Sequence, residues 1–540
     1  MKSLELTITL PEKIFTSLKD NSNKYLFIFI IGFLSSVSVI LFVYYYQIGL
    51  SLSYNDARSH LDIGRRVVEG LKPGLAQLGS VWLPLPHVLM VPTVWNDFFW
   101  HSGLSGSLQS MISFVITSIV IYKFLSFLKV GLFGRLVGVF VFVANLNVLY
   151  LQSIAMTELL LIGTMTLGVY ELVTWFKKVE IIYIIRAAFW IMLATLVRYD
   201  GWFLLFMSTL LVGLKVLKEK GYKTAEGLTI LFVTLAGFGI ALWFLWNQLI
   251  FKDALYFAFG PFSARAQQQQ LEEAGVLATK GDLILSLKVY LYALIFNSGA
   301  FTALLGLVGA ILLLLDKSIK LSLRASIIGL LFTPFLFNIL ALVLGHSVLF
   351  VQGISGDTWF NVRYGVMMMP SIAIFVGYLI YRLANLKWVI VGLLLFVTTF
   401  SFLNGDAVTI DDALVGSSQK NVSEVSGYLK AHATDKKGFI LISAASHDAI
   451  IFSSGLPMKR FIHEGTGSYW ESATTSPDRW ARWIVMRTHD DNDLTWKAVS
   501  RVPGFKRYDK VAEYPFADVY QLREEFIAEL NTDPTLKNNK

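Results

Sequence analysis

Residues 25–60 read YLFIFIIGFLSSVSVILFVYYYQIGLSLSYNDARSH, a long apolar run that ends in a short group of polar side chains. A membrane-spanning helix needs about 20 consecutive apolar residues. The run Tyr25–Leu50 exceeds that length and is too long for the apolar core of a cleaved signal peptide, so it predicts a retained first transmembrane helix. Asp56, Arg58 and His60 then lie where the chain first leaves the membrane. Polar groups there need partners or a ligand, although a solvated connection is the simpler interpretation.

The composition places the whole chain in the membrane-protein class. Of its 540 residues, 55% are hydrophobic and 16% are charged, whereas soluble domains carry roughly 25% charged residues. Repeated apolar runs predict a multi-span α-helical membrane protein with about eleven transmembrane helices. The absence of cysteine excludes disulfides and thiolate metal sites. The net charge of +8 does not indicate a nucleic-acid partner, because the basic residues lie in short loops between apolar runs.

Those loops predict the orientation, since Lys and Arg concentrate on the cytoplasmic side. Lysines precede the first span, and four more lie at Lys215–Lys223. We therefore expect a cytoplasmic N-terminus and, with an odd number of spans, an extracytoplasmic C-terminus in the plasma membrane. The first outer loop is then residues 51–100, and a second long outer segment is residues 252–282. An interruption at Asn297-Ser298-Gly299 leaves the span count open by about two.

The composition changes at Asn404. Residues 404–540 carry charged side chains throughout, with short apolar runs at 439–442 and 483–486 that predict buried strands and a helical pattern at 422–431. We expect residues 1–403 to form the transmembrane domain and residues 404–540 a soluble extracytoplasmic α/β domain. The latter contains neither a phosphate-binding glycine motif nor a zinc-type pairing.

Polar side chains from separate turns fall on the same predicted face. They are Asp56, Arg58 and His60 after the first span, Glu158 at the start of the fourth, Arg198 and Asp200 between the fifth and sixth, and Asn361, Arg363 and Tyr364 before the tenth. Any one of them could simply anchor a helix end, because Arg snorkels and Tyr prefers the interface. Opposite charges supplied by several noncontiguous turns indicate a site.

The motifs that carry these residues resemble a known family. In chain order they are residues 55–58 (NDAR), 79–87 (GSVWLPLPH), 156–158 (MTE), 198–202 (RYDGW), 246–247 (WN) with 260–263 (GPFS), and 361–364 (NVRY). Their order and shared face resemble the GT-C superfamily of membrane glycosyltransferases, and within it the protein mannosyltransferase and aminoarabinose transferase-like group. The resemblance covers most of residues 25–403 and does not extend into the C-terminal domain.

This resemblance implies a GT-C-like catalytic domain in residues 1–403. It also implies a polyprenyl- or dolichyl-phosphate-linked sugar donor and inverting transfer to a hydroxyl of a protein, glycan or lipid acceptor on the extracytoplasmic face. In the family, the acidic residue of the first outer loop is the catalytic base, and the motif match falls on Asp56. Many relatives have two adjacent acids there. This chain has Asn55 instead, which can hydrogen-bond a sugar hydroxyl but cannot accept a proton, so the match of Asp56 to the first or second acid stays open.

The chemistry of such a transfer assigns roles to the remaining residues. A carboxylate within hydrogen-bond reach assists attack by a hydroxyl, so we expect Asp56 to be catalytic, with Glu158 positioning the acceptor or balancing an arginine. A departing lipid phosphate needs cations, and the planar fork of Arg matches phosphate oxygens.

We therefore expect Arg198 and Arg363, and then Arg58, to bind the phosphate. The expected substrate-binding residues are Asn55, His60, Asp200, Asn361 and Tyr364. No metal or other cofactor is expected, because the histidines lack metal-ligand spacing.

A second class of function remains open. The interruption at residues 297–299 could be a broken helix of a transporter or flippase for a lipid-linked or anionic substrate, and ionisable residues in membranes often line such pathways. The two halves of the sequence, however, show no inverted repeat, and the charges lie at helix ends. A membrane-anchored binding module acting through residues 404–540 has no ligand motif to support it.

Overall fold

Helices form most of the described chain up to residue 404. The computed structural model describes residues 12–260, 263–273, 275–416 and 419–532. The helices of this part are α1 (Glu12–Gln47), α2 (Asn55–Val68), α3 (Leu85–Val94), α4 (Asp97–His101), α5 (Leu104–Phe127), α6 (Leu132–Val143), α7 (Leu146–Leu151), α8 (Glu158–Lys178), α9 (Ile181–Thr195), α10 (Asp200–Lys220), α11 (Tyr222–Phe251), α12 (Tyr256–Phe259), α13 (Ala264–Glu273), α14 (Leu283–Ser298), α15 (Ala300–Leu315), α16 (Leu321–Leu331), α17 (Thr333–Val343), α18 (Met369–Arg382) and α19 (Leu386–Asn404). A 3₁₀ turn, Val362–Met368, leads directly into α18.

These helices confirm a multi-span membrane protein. Within the described residues, seven helices are long and apolar enough to cross a membrane, or up to nine if two bent helix pairs each form one span. The predicted third span, ending near Leu151, and the predicted fifth, around residues 184–197, correspond to α6 and α9. These helices have only 12 and 15 residues, fewer than the about 20 that a span needs. The expected total of about eleven is therefore reached only if both short helices are added.

The interruption expected at residues 297–299 is a sharp break between α14 and α15, whose axes differ by 107°. Gly299 adopts a left-handed φ of +78° that favours glycine. The Asn297 side chain donates to the carbonyl of Val362 at 2.7 Å. A Cβ at Gly365 would collide with the carbonyl of Ala293, so only glycine lets the 3₁₀ turn lie against α14. The break thus fixes the segment that carries Arg363.

The loop of residues 51–100 is folded, which excludes its interpretation as a solvated connection. Its helices α2 and α3 pack together, and His60, Asp62 and Arg66 on α2 are each less than a tenth exposed. Arg65 donates to the carbonyls of Val94 and Trp95 at 2.8 and 2.7 Å. These contacts tie the end of α2 to the end of α3.

The C-terminal region contains the expected α/β structure. Its helices are α20 (Val408–Asp411), α21 (Gln419–Ala433), α22 (Ala444–Ser454), α23 (Ser468–Thr475), α24 (Pro477–Trp480) and α25 (Leu494–Val499), and its strands are β1 (Phe439–Ile442), β2 (Phe461–Ile462), β3 (Ala481–Met486), β4 (Tyr508–Ala512) and β5 (Asp518–Leu522). The strand order is β2-β1-β3-β5-β4. The β1–β2 and β1–β3 pairs are parallel, and the other two pairs are antiparallel. Both predicted strands and the predicted helix are confirmed.

The C-terminal region contacts the loop of residues 51–100 through α22, which packs against α2. Ser59 of α2 donates to Oδ1 of Asp448 at 2.7 Å. Arg58, one turn away from the N-terminus of α2, donates to the Ser453 hydroxyl at 3.2 Å. Residues 404–540 therefore contact the helix that begins with Asn55 and Asp56.

The orientation of the termini gives a testable prediction. The chain has no cysteine, so single cysteines can be introduced at Lys497 of α25 and at Lys223 of α11, both exposed. If Lys and Arg mark the cytoplasmic side, a membrane-impermeant maleimide added to intact cells should label the Lys497→Cys variant and not the Lys223→Cys variant. Labelling of the second variant alone would reverse the assignment of the two faces.

Candidate active site

Six charged side chains from noncontiguous segments meet at one end of the helical bundle. We call this group the ion-pair network: Asp56, Glu158, Arg198, Asp200, Arg363 and Asp412. Its centre is Arg363, which lies 2.7 Å from Asp56 Oδ2, 3.0 Å from Glu158 Oε1 and 3.6 Å from Asp412 Oδ2. The sequence-based expectation that these separate turns converge is therefore met for Asp56, Glu158, Arg198, Asp200 and Arg363.

Local structure explains why the acids lie at this end. Asp56 is in the first turn of α2, while Glu158 and Asp200 are the first residues of α8 and α10. Carboxylates are stabilised at helix N-termini by the helix dipole and by unpaired backbone N–H groups. Arg363 follows Asn361, which has a left-handed φ of +56° and donates from its side chain to the Val348 carbonyl at 2.8 Å. Asn361 thus shapes the turn that presents Arg363.

Arg198 is held more loosely than Arg363. Its closest charged partners, Glu158 Oε1 and Asp200 Oδ2, are both 3.4 Å away. Its guanidinium lies over the ring of Tyr364 at 4.8 Å. The Arg198 side chain is 22% exposed, against 5% for Arg363. Arg198 is therefore the more accessible guanidinium of the network.

The two acids expected to be catalytic differ in access. The Asp56 side chain is 44% exposed, whereas Glu158 is 0% exposed and bridges Arg198 and Arg363. A general base has to come within hydrogen-bond reach of the proton that it accepts. This geometry favours Asp56 as the group that meets an acceptor hydroxyl, and Glu158 as the group that fixes the two arginines.

His60 lies on the same face of α2 as Asp56, one turn further along. Its Nδ1 is 2.9 Å from Nε2 of His87, and its ring lies 4.4 Å from that of Trp82. Burial, together with the charges of Arg198 and Arg363, lowers the pKa of His60 to about 3. Burial and the neighbouring His60 and Arg66 lower the pKa of His87 as well. Both imidazoles are neutral, so His60 offers hydrogen bonds and not a positive charge.

The other expected residues divide into two groups. Tyr364 lies beneath both arginines, at 4.8 Å from Arg198 and 5.4 Å from Arg363, and Asn55 begins α2 next to Asp56. Arg58 is turned away, because its Nε donates to the Leu52 carbonyl at 2.9 Å and its Nη1 to Ser453. Among the described residues, Arg58 thus contacts the C-terminal region and is not part of the ion-pair network.

Two residues of this site had no predicted role. The Tyr54 hydroxyl lies 2.9 Å from Asp412 Oδ2 and 2.8 Å from the Thr409 carbonyl, and its ring is 4.8 Å from the Arg363 guanidinium. Asp412 is 1% exposed. The signals were present in the sequence: Tyr54 precedes the 55–58 motif, and Asp411-Asp412 follows the last apolar run on the predicted outer side.

An aromatic cluster adjoins the Arg198 turn. Trp243 and Phe257 pack with Leu83 of the first loop, and Tyr199 and Trp202 lie against them. The motif residue Trp246 donates to the Gly79 carbonyl at 3.2 Å, which joins α11 to the first loop. Pro261 and Phe262 of the 260–263 motif lie outside the described residues. The cluster gives the charged site an apolar flank.

No metal centre is evident in the described part of the chain, where no group of three or more His, Asp or Glu side chains is placed to hold an ion. The ion-pair network instead joins each carboxylate to a guanidinium. That the protein uses no metal remains a prediction.

Asp62 is another acid of α2, and it is completely buried. Neither of its carboxylate oxygens has a hydrogen-bond partner among the described residues. Burial raises the pKa of Asp62 well above its ordinary value; Arg66 and Arg65 oppose this shift and Asp448 adds to it. Because it cannot be reached by an acceptor, Asp62 is a poor candidate for the base.

The raised pKa makes Asp62 a source of pH-dependent stability. The folded state binds its proton more tightly than the unfolded state, so stability falls as pH rises from the ordinary carboxyl range toward the folded-state pKa. A tenfold difference in proton affinity corresponds to about 1.4 kcal/mol. In thermal unfolding between about pH 4 and pH 8, Asp62→Asn should therefore have a flatter profile than the wild type and a higher melting temperature at the upper end. The control is Asp357→Asn, which changes an exposed acid and should keep the wild-type profile. A wild-type profile for Asp62→Asn as well would mean that Asp62 is ionised in the folded protein.

Comparison with solved structures identifies the fold. No protein-family model matches the chain, and no curated protein matches its sequence. In structure the chain is similar to ArnT from Cupriavidus metallidurans bound to undecaprenyl phosphate, with a TM-score of 0.54, 11% identity, and coverage of 90% of this chain and 98% of ArnT. The apo state of ArnT gives the same values.

A weaker likeness joins the chain to the oligosaccharyltransferase of Archaeoglobus fulgidus in complex with Zn and sulfate. The TM-score is 0.47 with 11% identity, and the alignment covers 84% of this chain and 67% of that one. The match to ArnT over nearly its full length confirms the GT-C-like fold expected from the motifs.

Proposed function

We propose that the protein is an inverting glycosyltransferase. It moves a hexosyl or pentosyl group from a polyprenyl- or dolichyl-phosphate-linked donor to a hydroxyl of a protein, glycan or lipid acceptor on the extracytoplasmic face. The observation that carries the proposal is the pairing of a half-exposed carboxylate, Asp56, with a buried arginine, Arg363, at one end of a GT-C-like bundle.

In the proposed reaction each reacting group has a partner. The acceptor oxygen attacks the anomeric carbon, the bond from that carbon to the phosphate oxygen breaks, and the acceptor proton passes to Asp56. A single displacement inverts the configuration at the anomeric carbon. The lipid phosphate leaves as an anion, so it needs positive charge and not a proton. Because Asp56 is itself bound to Arg363, the base and the phosphate site are joined by one side chain.

Arg198 is the more accessible of the two arginines that would bind the donor phosphate. It is partly exposed, its contacts to carboxylates are long, and it lies at the edge of the apolar aromatic cluster. A cation beside a low-dielectric surface stabilises developing negative charge more strongly than it does in water. The ArnT structure bound to undecaprenyl phosphate supports a polyprenyl-phosphate-linked donor for this fold.

The role of Arg198 can be tested directly. Arg198→Ala should weaken the binding of undecaprenyl phosphate about tenfold or more, because charge-assisted contacts to phosphate are lost. Arg198→Lys should restore only part of that affinity, since an ammonium group lacks the planar fork. Titrations of the purified protein in detergent measure both effects. Equal affinity of the lysine variant and the wild type would indicate that Arg198 only anchors a helix end.

The proposed activity is tested with a panel of polyprenyl-phosphate sugars. The purified protein in detergent is expected to transfer the sugar of at least one donor to water or to an added hydroxyl compound and so to release polyprenyl phosphate, and Asp56→Asn to release far less. Detection of the free lipid phosphate does not require the acceptor to be known. If no donor reacts with the wild type, whereas a sealed vesicle containing the protein moves the lipid-linked sugar across the bilayer, the transporter hypothesis replaces the transferase.

The broken helix that motivated the transporter hypothesis has a structural explanation. Asn297, at the end of α14, donates to Val362, and its own carbonyl accepts from Asn145 at 2.7 Å and Asn147 at 3.1 Å. The break thus supports the turn that presents Arg363. This arrangement accounts for the break within a transferase site.

A further inference from the structure

Asp412 lies in the centre of the site although it follows the last transmembrane helix. Its Oδ2 accepts a hydrogen bond from Tyr54 at 2.9 Å and lies 3.6 Å from Nη1 of Arg363. The Arg363 Nε and Nη2 atoms make closer contacts, to Glu158 at 3.0 Å and Asp56 at 2.7 Å. Of the three guanidinium nitrogens of Arg363, only Nη1 has its charged partner, Asp412, beyond hydrogen-bond distance.

The segment that carries Asp412 is also anchored by contacts that do not involve the Arg363 side chain. Both the backbone N–H and the hydroxyl of Thr409 donate to Oδ1 of Asn147, at 3.0 and 2.9 Å. Tyr54 also contacts the Thr409 carbonyl. Asp412 then begins a π-helical turn, Asp412–Gly416, a conformation that is frequent at functional sites. Neutral hydrogen bonds thus place the Asp412 carboxylate beside Arg363.

The charges of the ion-pair network are unbalanced. Arg198 and Arg363 face four carboxylates, those of Asp56, Glu158, Asp200 and Asp412, which leaves two negative charges in excess when all are ionised. A lipid phosphate brings a further negative charge into the same buried group. Like charges repel strongly in such surroundings. Binding of the phosphate therefore requires one carboxylate to give up its contact with an arginine.

Asp412 is the carboxylate best suited to give up its contact with an arginine. Glu158 is fully buried between both arginines, Asp200 begins α10 beside Arg198, and Asp56 has the shortest contact with Arg363. Asp412 alone among the four has its nearest guanidinium contact at 3.6 Å, and it keeps the Tyr54 hydroxyl as a second partner.

We propose that Asp412 occupies the place on Arg363 that the phosphate of the lipid ligand takes, so that the phosphate binds by displacing it. This inference rests on the proposed function and adds a means of release. After sugar transfer the polyprenyl phosphate carries more negative charge than the donor, and the return of Asp412 to Arg363 expels it. Product release limits turnover in many enzymes. Asp412 is thus a carboxylate whose removal tightens binding, in contrast to Asp56.

The test measures the affinity of purified full-length protein for undecaprenyl phosphate in detergent. Asp412→Asn keeps the size of the side chain and an oxygen that accepts from Tyr54, but it removes the competing charge. The dissociation constant should fall on the order of tenfold. A gain of affinity cannot arise from damage to the fold. With a reactive donor, KM should fall and kcat should not rise.

The control variant is Asp316→Asn at the opposite end of the bundle. Asp316 has the same two kinds of partner, because it accepts from the Tyr378 hydroxyl and pairs with Arg382 at 3.1 Å, but its arginine is 46% exposed and Arg363 is 5% exposed. Asp316→Asn should leave the affinity for undecaprenyl phosphate unchanged. Uncharged undecaprenol should bind the wild type and Asp412→Asn equally.

Unchanged or weaker binding of undecaprenyl phosphate by Asp412→Asn would overturn the inference, as would an equal gain for undecaprenol. If neither the wild type nor Asp412→Asn binds undecaprenyl phosphate, both the inference and the polyprenyl-phosphate donor fail. If the wild type binds it and only the gain is missing, the donor class stands and the role of Asp412 falls.

Discussion

Replacing Asp56 by asparagine is expected to lower the turnover number of donor consumption about 10²- to 10⁴-fold, the range that positioned acid–base groups contribute. The amide keeps the shape of the side chain and can hydrogen-bond, but it cannot accept the acceptor proton. Affinity for undecaprenyl phosphate should survive, because the guanidinium groups of Arg198 and Arg363 remain. Single-turnover kinetics with a reactive lipid-phosphate sugar, together with a binding titration, separate the two quantities.

The Asp56 prediction has two comparison variants. Asp357→Asn changes an exposed acid in the segment before Arg363 and should leave turnover within about twofold of the wild type, as expected for a surface position. Asp56→Glu should recover little activity, because an extra methylene moves the carboxylate by about 1 Å or more. Near-normal turnover of a folded Asp56→Asn protein would remove Asp56 as the base.

The second large effect is expected at Arg363. Arg363→Ala leaves Glu158 and Asp412 without their central cation, and breaking a buried ion pair on one side costs about 3–5 kcal/mol. The melting temperature in detergent should therefore fall markedly, and donor consumption should be lost. Arg363→Lys retains one positive charge, but a single ammonium group cannot hold Asp56 and Glu158 together as the planar fork does. We expect it to regain part of the stability and at most about 1% of the turnover.

The matched control for Arg363 is Arg382→Ala at the other end of α18. The Arg382 side chain is 46% exposed, and its partner Asp316 also accepts from the Tyr378 hydroxyl. Solvent screens the arginine of this pair, so the pair should contribute only about 0–1 kcal/mol. Arg382→Ala should therefore change stability little and leave donor consumption intact. Equal losses in the two variants would mean that Arg363 acts through the fold of α18 and not through the site.

The parts of the site that follow from the sequence are those that depend on helix ends. Glu158, Arg198, Asp200 and Arg363 all lie where an apolar run begins or ends, and alternation of spans places such positions on one face. The position of Asp412 in the site cannot be predicted in this way. It lies in the region assigned to the soluble domain, and its contact with Tyr54 joins residues 358 positions apart. Only packing brings them together.

The same contrast holds for the fold. The apolar strand 439–442 was predicted with its observed limits, because a short buried run bounded by charged residues leaves few alternatives. The interruption at residues 297–299 was also expected, but the 107° bend depends on Asn297 contacts to residues far along the chain. The direction of Arg58 likewise depends on Ser453, 395 positions away. Side-chain placement of this kind has no periodic signal in the sequence.

The contact between α2 and α22 has a consequence for how this protein can change in evolution and in the laboratory. Ser59 and Arg58 each bind a residue of the C-terminal region. Both lie within one turn of Asp56 on α2. A chimera that receives the C-terminal region of a relative would have a mismatched surface at the helix that carries Asp56, the proposed base. Residues 51–100 and 404–540 would therefore have to be exchanged, or drift, as a matched pair, even though the whole membrane bundle separates them in the sequence.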